Sequence, residues 1–171
     1  MPRYHLMWGT YGSWLPGDPR GFRTRHHRQH VDGDYRNPPP PGTYEGLHAH
    51  VCRSLKQAPV TIPPGLRETV GRRCLDRFAE EGIAVAALSV GGQHAHAAVA
   101  CPSNGLKQMV GRVKKVSSHR VRDRLPGRLW QAGCRPVRIR DASHWRNVLE
   151  YIAAHAPHAW VWVADDDSVV A

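Results

Sequence analysis

Apolar and polar residues alternate along this chain with two periods, and the switches between them mark out its elements. Residues 4–11 (Tyr-His-Leu-Met-Trp-Gly-Thr-Tyr) have the aromatic and β-branched content of a strand, which places the first element at the amino terminus. Residues 12–22 are turn chemistry holding two large apolar side chains, and predict an ordered loop pinned by Trp14 and Phe22. Leu66, Val70, Cys74 and Phe78 recur every four residues, so a helix is expected from Pro63-Pro64-Gly65 to Glu81, stopped by Gly82. Residues 83–90 and 94–101 read as antiparallel strands across Gly91-Gly92. Pro102-Ser103-Asn104 reads as the cap of a helix continuing to about Leu125, with only Leu106, Met109, Val110, Val113, Val116 and Val121 available to pack. Residues 128–140 read as a last strand, Val137 and Ile139 alternating with Arg138 and Arg140. Asp141-Ala142-Ser143 then caps a helix with the core stripe Trp145, Val148, Leu149 and Ile152. Tyr151 and His155 stand one turn apart on the flank of that stripe and should face one site at the edge of the core.

Residues 23–46 break the pattern. They carry Arg23, Arg25, Arg28, Arg36, the histidines 26, 27 and 30, and prolines at 38–41, too little apolar surface to fold alone. This long polar loop wraps the domain or orders on a ligand, and Arg23 and Arg25 are candidate phosphate contacts as readily as a solvated surface. Composition sharpens that choice. The 171 residues suffice for one domain with a real core, expected over 1–164 with an acidic tail at 165–171. The 24 Lys+Arg exceed the 14 Asp+Glu by ten, which favours a polyanionic partner, most often nucleic acid. Cys52, Cys74, Cys101 and Cys134 form no Cys-x-x-Cys pair, which argues against a zinc ribbon or disulfide framework and for free thiols in a reducing cytoplasm. No apolar run approaches the roughly 20 residues that span a bilayer, and Met1-Pro2-Arg3-Tyr4 does not begin a signal peptide, so no membrane association is expected.

Two His-x-His triplets hold the candidate chemistry. Alternation along a strand points His94 and His96 the same way, where they can grip one metal ion, while Ala95, Ala97 and Val99 face the packing side. His48-Ala49-His50 lies in a short helical pattern, where residues two apart diverge by about 200° and cannot share a metal. The helix after Pro102 carries Lys107, Arg112, Lys114, Lys115, His119, Arg120, Arg122 and Arg124. So dense a cluster in a chain this basic reads as a phosphate-tracking surface rather than only a solvated face.

The order of these pieces resembles the single-tyrosine HUH transposases of the insertion-sequence-200-like family and their domesticated relatives, the REP-associated tyrosine transposases. The likeness rests on residues 8–18 (Trp-Gly-Thr-Tyr-Gly-Ser-Trp-Leu-Pro-Gly-Asp), His94-Ala95-His96, Leu129-Trp130-Gln131, Ile139-Arg140-Asp141 and Tyr151-Ile152, and spans nearly the whole chain. It implies a ferredoxin-like α+β fold, an antiparallel sheet with helices on one face. It also implies His94 and His96 as metal ligands, Tyr151 as nucleophile, and His155 as third ligand where relatives carry Asn or Gln. The implied substrate is single-stranded DNA folded into hairpins, cleaved and rejoined through a covalent 5′-phosphotyrosine with a divalent metal, Mg²⁺ or Mn²⁺. Three imidazoles favour Mn²⁺, being softer ligands than oxygen. The resemblance also allows a homodimer, with Tyr151 serving its own subunit or its partner's, and a cytoplasmic, nucleoid-associated location. Relatives carry a bulky apolar residue between the histidines; Ala95 in its place would anchor the metal strand less firmly.

Two other functions fit the same residues. One is a domesticated protein that binds hairpin nucleic acid through the basic helix without cutting. The other is a metal-dependent phosphodiesterase or hydrolase with no covalent intermediate, in which Tyr151→Phe would leave turnover nearly intact.

Overall fold

A computed structural model describes residues 1–19 and 40–165. The chain divides into two compact units, Met1–Tyr11 with Thr61–Ala171, and Gly12–Val60.

The larger unit is α+β, a five-stranded antiparallel sheet with three helices. The strands are β1 (Arg3–Gly9), β2 (Ala84–Val90), β3 (His94–Ala100), β4 (Arg135–Arg138) and β5 (Trp160–Val163), in the order β4-β1-β3-β2-β5. Helix α1 (Glu45–Arg53) belongs to the smaller unit; α2 (Pro64–Glu80) and α3 (Leu106–Arg120) connect β1 to β2 and β3 to β4, and α4 (Ala142–Ala153) precedes β5. The succession β1-α2-β2-β3-α3-β4 and the order β4-β1-β3-β2 are compatible with a ferredoxin-like fold, to which β5 adds an edge strand beside β2.

Register fixes which side chains share a face, because partners across antiparallel strands project together. Trp8, Ala95, Val90 and Trp160 form one such row, and Leu6, Ala97, Leu88 and Trp162 the next. Gly71 of α2 lies against the Trp160 ring, so the α2–α3 layer covers this face. The opposite row is Arg135, Met7, His96, Ser89 and Val161. There Ala87 and Ala98 pack against Trp145, Val148 and Ile152 of α4. The helices, expected on one face, therefore occupy both, and α4 sits on the histidine side. Ala95 is fully buried between Trp8 and Val90.

Three local expectations change. The helix after Pro102 is capped not by Asn104 but by Gly105, whose φ of 74° is one that glycine adopts without Cβ strain, and it ends at Arg120 in a run of turns. The strand read over 128–140 shrinks to β4, because Gly133 takes a φ of 73° and the Gln131 and Gly133 carbonyls are occupied by the Lys114 ammonium; Trp130 keeps only an isolated bridge to Thr10. The short run Trp160-Val161-Trp162-Val163, passed over in the sequence, is β5.

In the smaller unit, Trp14 takes a φ of 53°, unusual for a bulky residue. Gly17 leaves no room for a Cβ against His48 N and Tyr44 O, 2.6 and 2.8 Å away, which seats the loop on α1. Phe22, Arg23, Arg25 and most of the 23–46 loop lie outside the described residues.

Candidate metal centre

Each ligand of the candidate site is placed by a different local rule. His94 and His96 open β3 just after the Gly91-Gly92 turn, where Gly91 N donates to His94 O at 2.9 Å. Strand alternation puts both rings on the α4 side, 5.0 Å apart between centroids. Asp141 starts α4 by accepting from His144 N at 2.8 Å, and the Trp145–Val148–Ile152 stripe docks the helix on the sheet. Docked in this way, α4 delivers Tyr151 and, just past its last residue, His155.

The rings converge. His155 lies 5.7 Å from His94 and 4.9 Å from His96, and Tyr151 lies 5.3 Å from His96 and 4.7 Å from His155, all between centroids. One nitrogen from each of His94, His96 and His155 lies within 4.8 Å of the others, the one such group among the described residues. His48 and His50 sit on α1, where His48 Nε2 meets Cys52 Sγ at 3.6 Å, in keeping with the divergence expected on a helix.

Tautomers decide whether these nitrogens can ligate. His155 Nδ1 is 2.7 Å from the Tyr151 carbonyl oxygen, which only accepts, so Nδ1 carries the proton and Nε2 keeps its lone pair. This bond also caps the carboxy-terminal end of α4, so one contact serves both helix and site. His96 Nδ1 is 3.0 Å from Nε2 of His5 on β1, a contact between two nitrogens that can each donate or accept. His96 and His5 are 6% and 8% exposed, and burial, aided by neighbouring histidines, pushes their pKa values down to about 2 and about 4. Both are neutral at pH 7, the state in which imidazole binds metal. The Ser89 hydroxyl, across from His96 in the sheet, is buried with no hydrogen-bond partner among the described residues. Three imidazoles on one face suit a divalent ion with open positions. Tyr151, at 51% exposure, is accessible from outside.

His5 and Ser89 were not singled out in the sequence, although the rule that marked His94 applies to His5, a polar residue in an apolar strand. The basic helix is less uniform than its composition suggests. Lys107, Lys115, Arg120 and Arg122 are exposed. Arg112 is held by Glu81 through two bonds of 2.6 and 2.5 Å. Lys114 does not belong to the surface: it is 9% exposed, and its ammonium donates to the Gln131 and Gly133 carbonyls at 2.6 Å each.

Among the described residues no helix is long and apolar enough to cross a membrane. No protein-family model matches the chain, and no curated protein matches its sequence.

Proposed function

We propose that the protein is a metal-dependent nuclease and strand transferase of the single-tyrosine HUH type, acting on single-stranded hairpin DNA through a covalent 5′-phosphotyrosine. The observation that carries this reading is the convergence of the exposed Tyr151 ring on His94, His96 and His155. A phenol near pKa 10 is a poor nucleophile at neutral pH and needs electrophilic help at phosphorus. His94, His96 and His155 would hold the divalent ion, whose contribution is Lewis acidity toward a phosphate oxygen. Tyr151 Oη attacks phosphorus as the bond to the 3′ oxygen breaks. The phenolic proton is lost and the 3′ oxygen gains one, so the products are a phosphotyrosine and a free 3′-hydroxyl. Attack by that hydroxyl reverses the step and rejoins strands without ATP. The surplus of ten positive charges and the exposed cations of α3 favour a polyanionic substrate.

The deciding experiment incubates wild type and Tyr151→Phe with hairpin-bearing single-stranded DNA from the gene's flanks and Mn²⁺, followed by denaturing gels. Wild type should give a protein–DNA adduct and the variant none. Cleavage by both proteins without an adduct would make the protein a metal-dependent hydrolase, and binding without cleavage would make it a hairpin-binding protein.

A further inference from the structure

His5 lies outside the three-histidine group, yet it touches one of its members. It stands on β1, two residues before Met7, the register partner of His96, so its ring reaches His96 diagonally across the sheet. The two rings meet at 3.0 Å, His5 Nε2 to His96 Nδ1, in a buried contact. A neutral imidazole has one donor and one acceptor nitrogen, so just two arrangements are open. Either His5 Nε2–H donates to His96 Nδ1, which puts the one ring N–H of His96 on Nε2 and blocks it as a ligand. Or His96 Nδ1–H donates to His5 Nε2, which frees His96 Nε2.

We infer that His5 is a positioning residue, the acceptor that holds His96 as its Nδ1–H tautomer and turns Nε2 toward His94 and His155. The inference rests on the metal-holding part of the proposed function and not on the tyrosine chemistry. His155 offers the parallel case: its Nδ1 is tied to the Tyr151 carbonyl, so two of the three ligands have Nδ1 bound to a protein acceptor. Metal-binding imidazoles commonly take such a partner, often a carboxylate. A neutral ring in that role orients the ligand without adding negative charge beside an incoming phosphate, whereas a carboxylate would repel it.

The test uses the full chain and Co²⁺ alone, whose visible bands report imidazole coordination. ¹⁵N-detected NMR of the metal-free protein reads the His96 tautomer. His5→Leu removes the acceptor, and His5→Gln restores one, because the glutamine amide reaches about where His5 Nε2 lies. Wild type should bind Co²⁺ with His96 protonated on Nδ1. His5→Leu should bind about 10–100-fold more weakly with mixed tautomers, the range seen when such partners are lost, and His5→Gln should recover most of the affinity. His94→Ala, which loses a ligand, identifies the site being read. Leu and Gln variants equal to wild type, a His96 protonated on Nε2, or a wild type that does not bind Co²⁺ would each overturn the inference. Should His5→Leu not fold, the His96 tautomer in wild type and the affinity of His5→Gln decide the matter. Co²⁺ binding with the expected tautomer but no DNA adduct would sustain the role of His5 while removing the nuclease reading.

Discussion

At the residue scale, His5 and His96 resist protonation in the folded protein, and that resistance ties stability to pH. Their folded pKa values of about 4 and about 2 lie below the ordinary 6.5, so the unfolded chain binds more protons than the folded one once the pH drops below about 6.5. Their contribution to stability is whole above pH 6.5 and shrinks as the pH falls, toward 4 for His5 and further for His96. Inside that window each histidine can contribute a slope of about 1.4 kcal/mol per pH unit. Glu81, whose carboxylate the Arg112 guanidinium holds down at about 2, is lost only below the carboxylate range, so the span from 6.5 to 4.5 belongs to the histidines. The urea midpoint of the metal-free protein should therefore fall steadily between pH 6.5 and 4.5, and His5→Gln should flatten the fall. A midpoint constant over that span would refute the burial argument for both rings. The sequence made His94, His96, Tyr151 and His155 legible because strand and helix periods alone put them on common faces. It did not expose the His5 contact, which depends on the register of β1 against β3, a long-range pairing that no local period encodes.

At the element scale, two helical glycines separate propensity from packing. Glycine costs a helix interior about 1 kcal/mol relative to alanine. At Gly111 of α3, which is exposed with nothing near its missing Cβ, alanine should recover that amount. At Gly71 of α2 the same Cβ would overlap the Trp160 ring, and overpacking of a rigid indole costs about 1–3 kcal/mol, more than propensity returns. Thermal unfolding should thus show Gly111→Ala raised by about 2–4 °C and Gly71→Ala lowered by a similar amount, using the usual conversion for a chain of this size. Equal shifts of one sign would mean that α2 does not lean on β5 as described. The same contact shows why β5 escaped the sequence reading. Four residues between a turn and an acidic end show little period of their own, and what marks them as a strand is the α2 surface that they complete. The two long helices and the central strands were legible because their apolar spacing runs for several turns. The overlong strand before β4 was not, since nothing local announces that Lys114 claims two of its carbonyls.

At the scale of the whole molecule, formal charge and available charge are different quantities. The surplus of ten is already net of every Arg–Glu pair, so pairing does not reduce it but decides which cations are available to a partner. Arg73 and Arg77 of α2 pair with Glu80, Arg77 and Arg112 pair with Glu81, and Lys114 is buried against carbonyls. The cations of α3 left to meet phosphates are Lys107, Lys115 and Arg120; Arg122, just beyond the helix, contacts His119 and Asp123. Each phosphate contact releases condensed counterions, so the slope of log affinity against log salt counts contacts, about 0.7 per contact on a single strand. Lys115→Ala and Arg120→Ala should each make the slope for hairpin-bearing single-stranded DNA shallower by about that amount. Arg112→Ala should leave the slope nearly unchanged, since Glu81 keeps its pair with Arg77. Lys114→Met should leave the slope alone and lower stability, because it strands two carbonyls that the ammonium now satisfies. If Arg112 and Lys114 changed the slope as much as Lys115 and Arg120 do, the charge would act as a uniform field. If only the exposed pair changed it, the DNA would lie along a particular strip of α3.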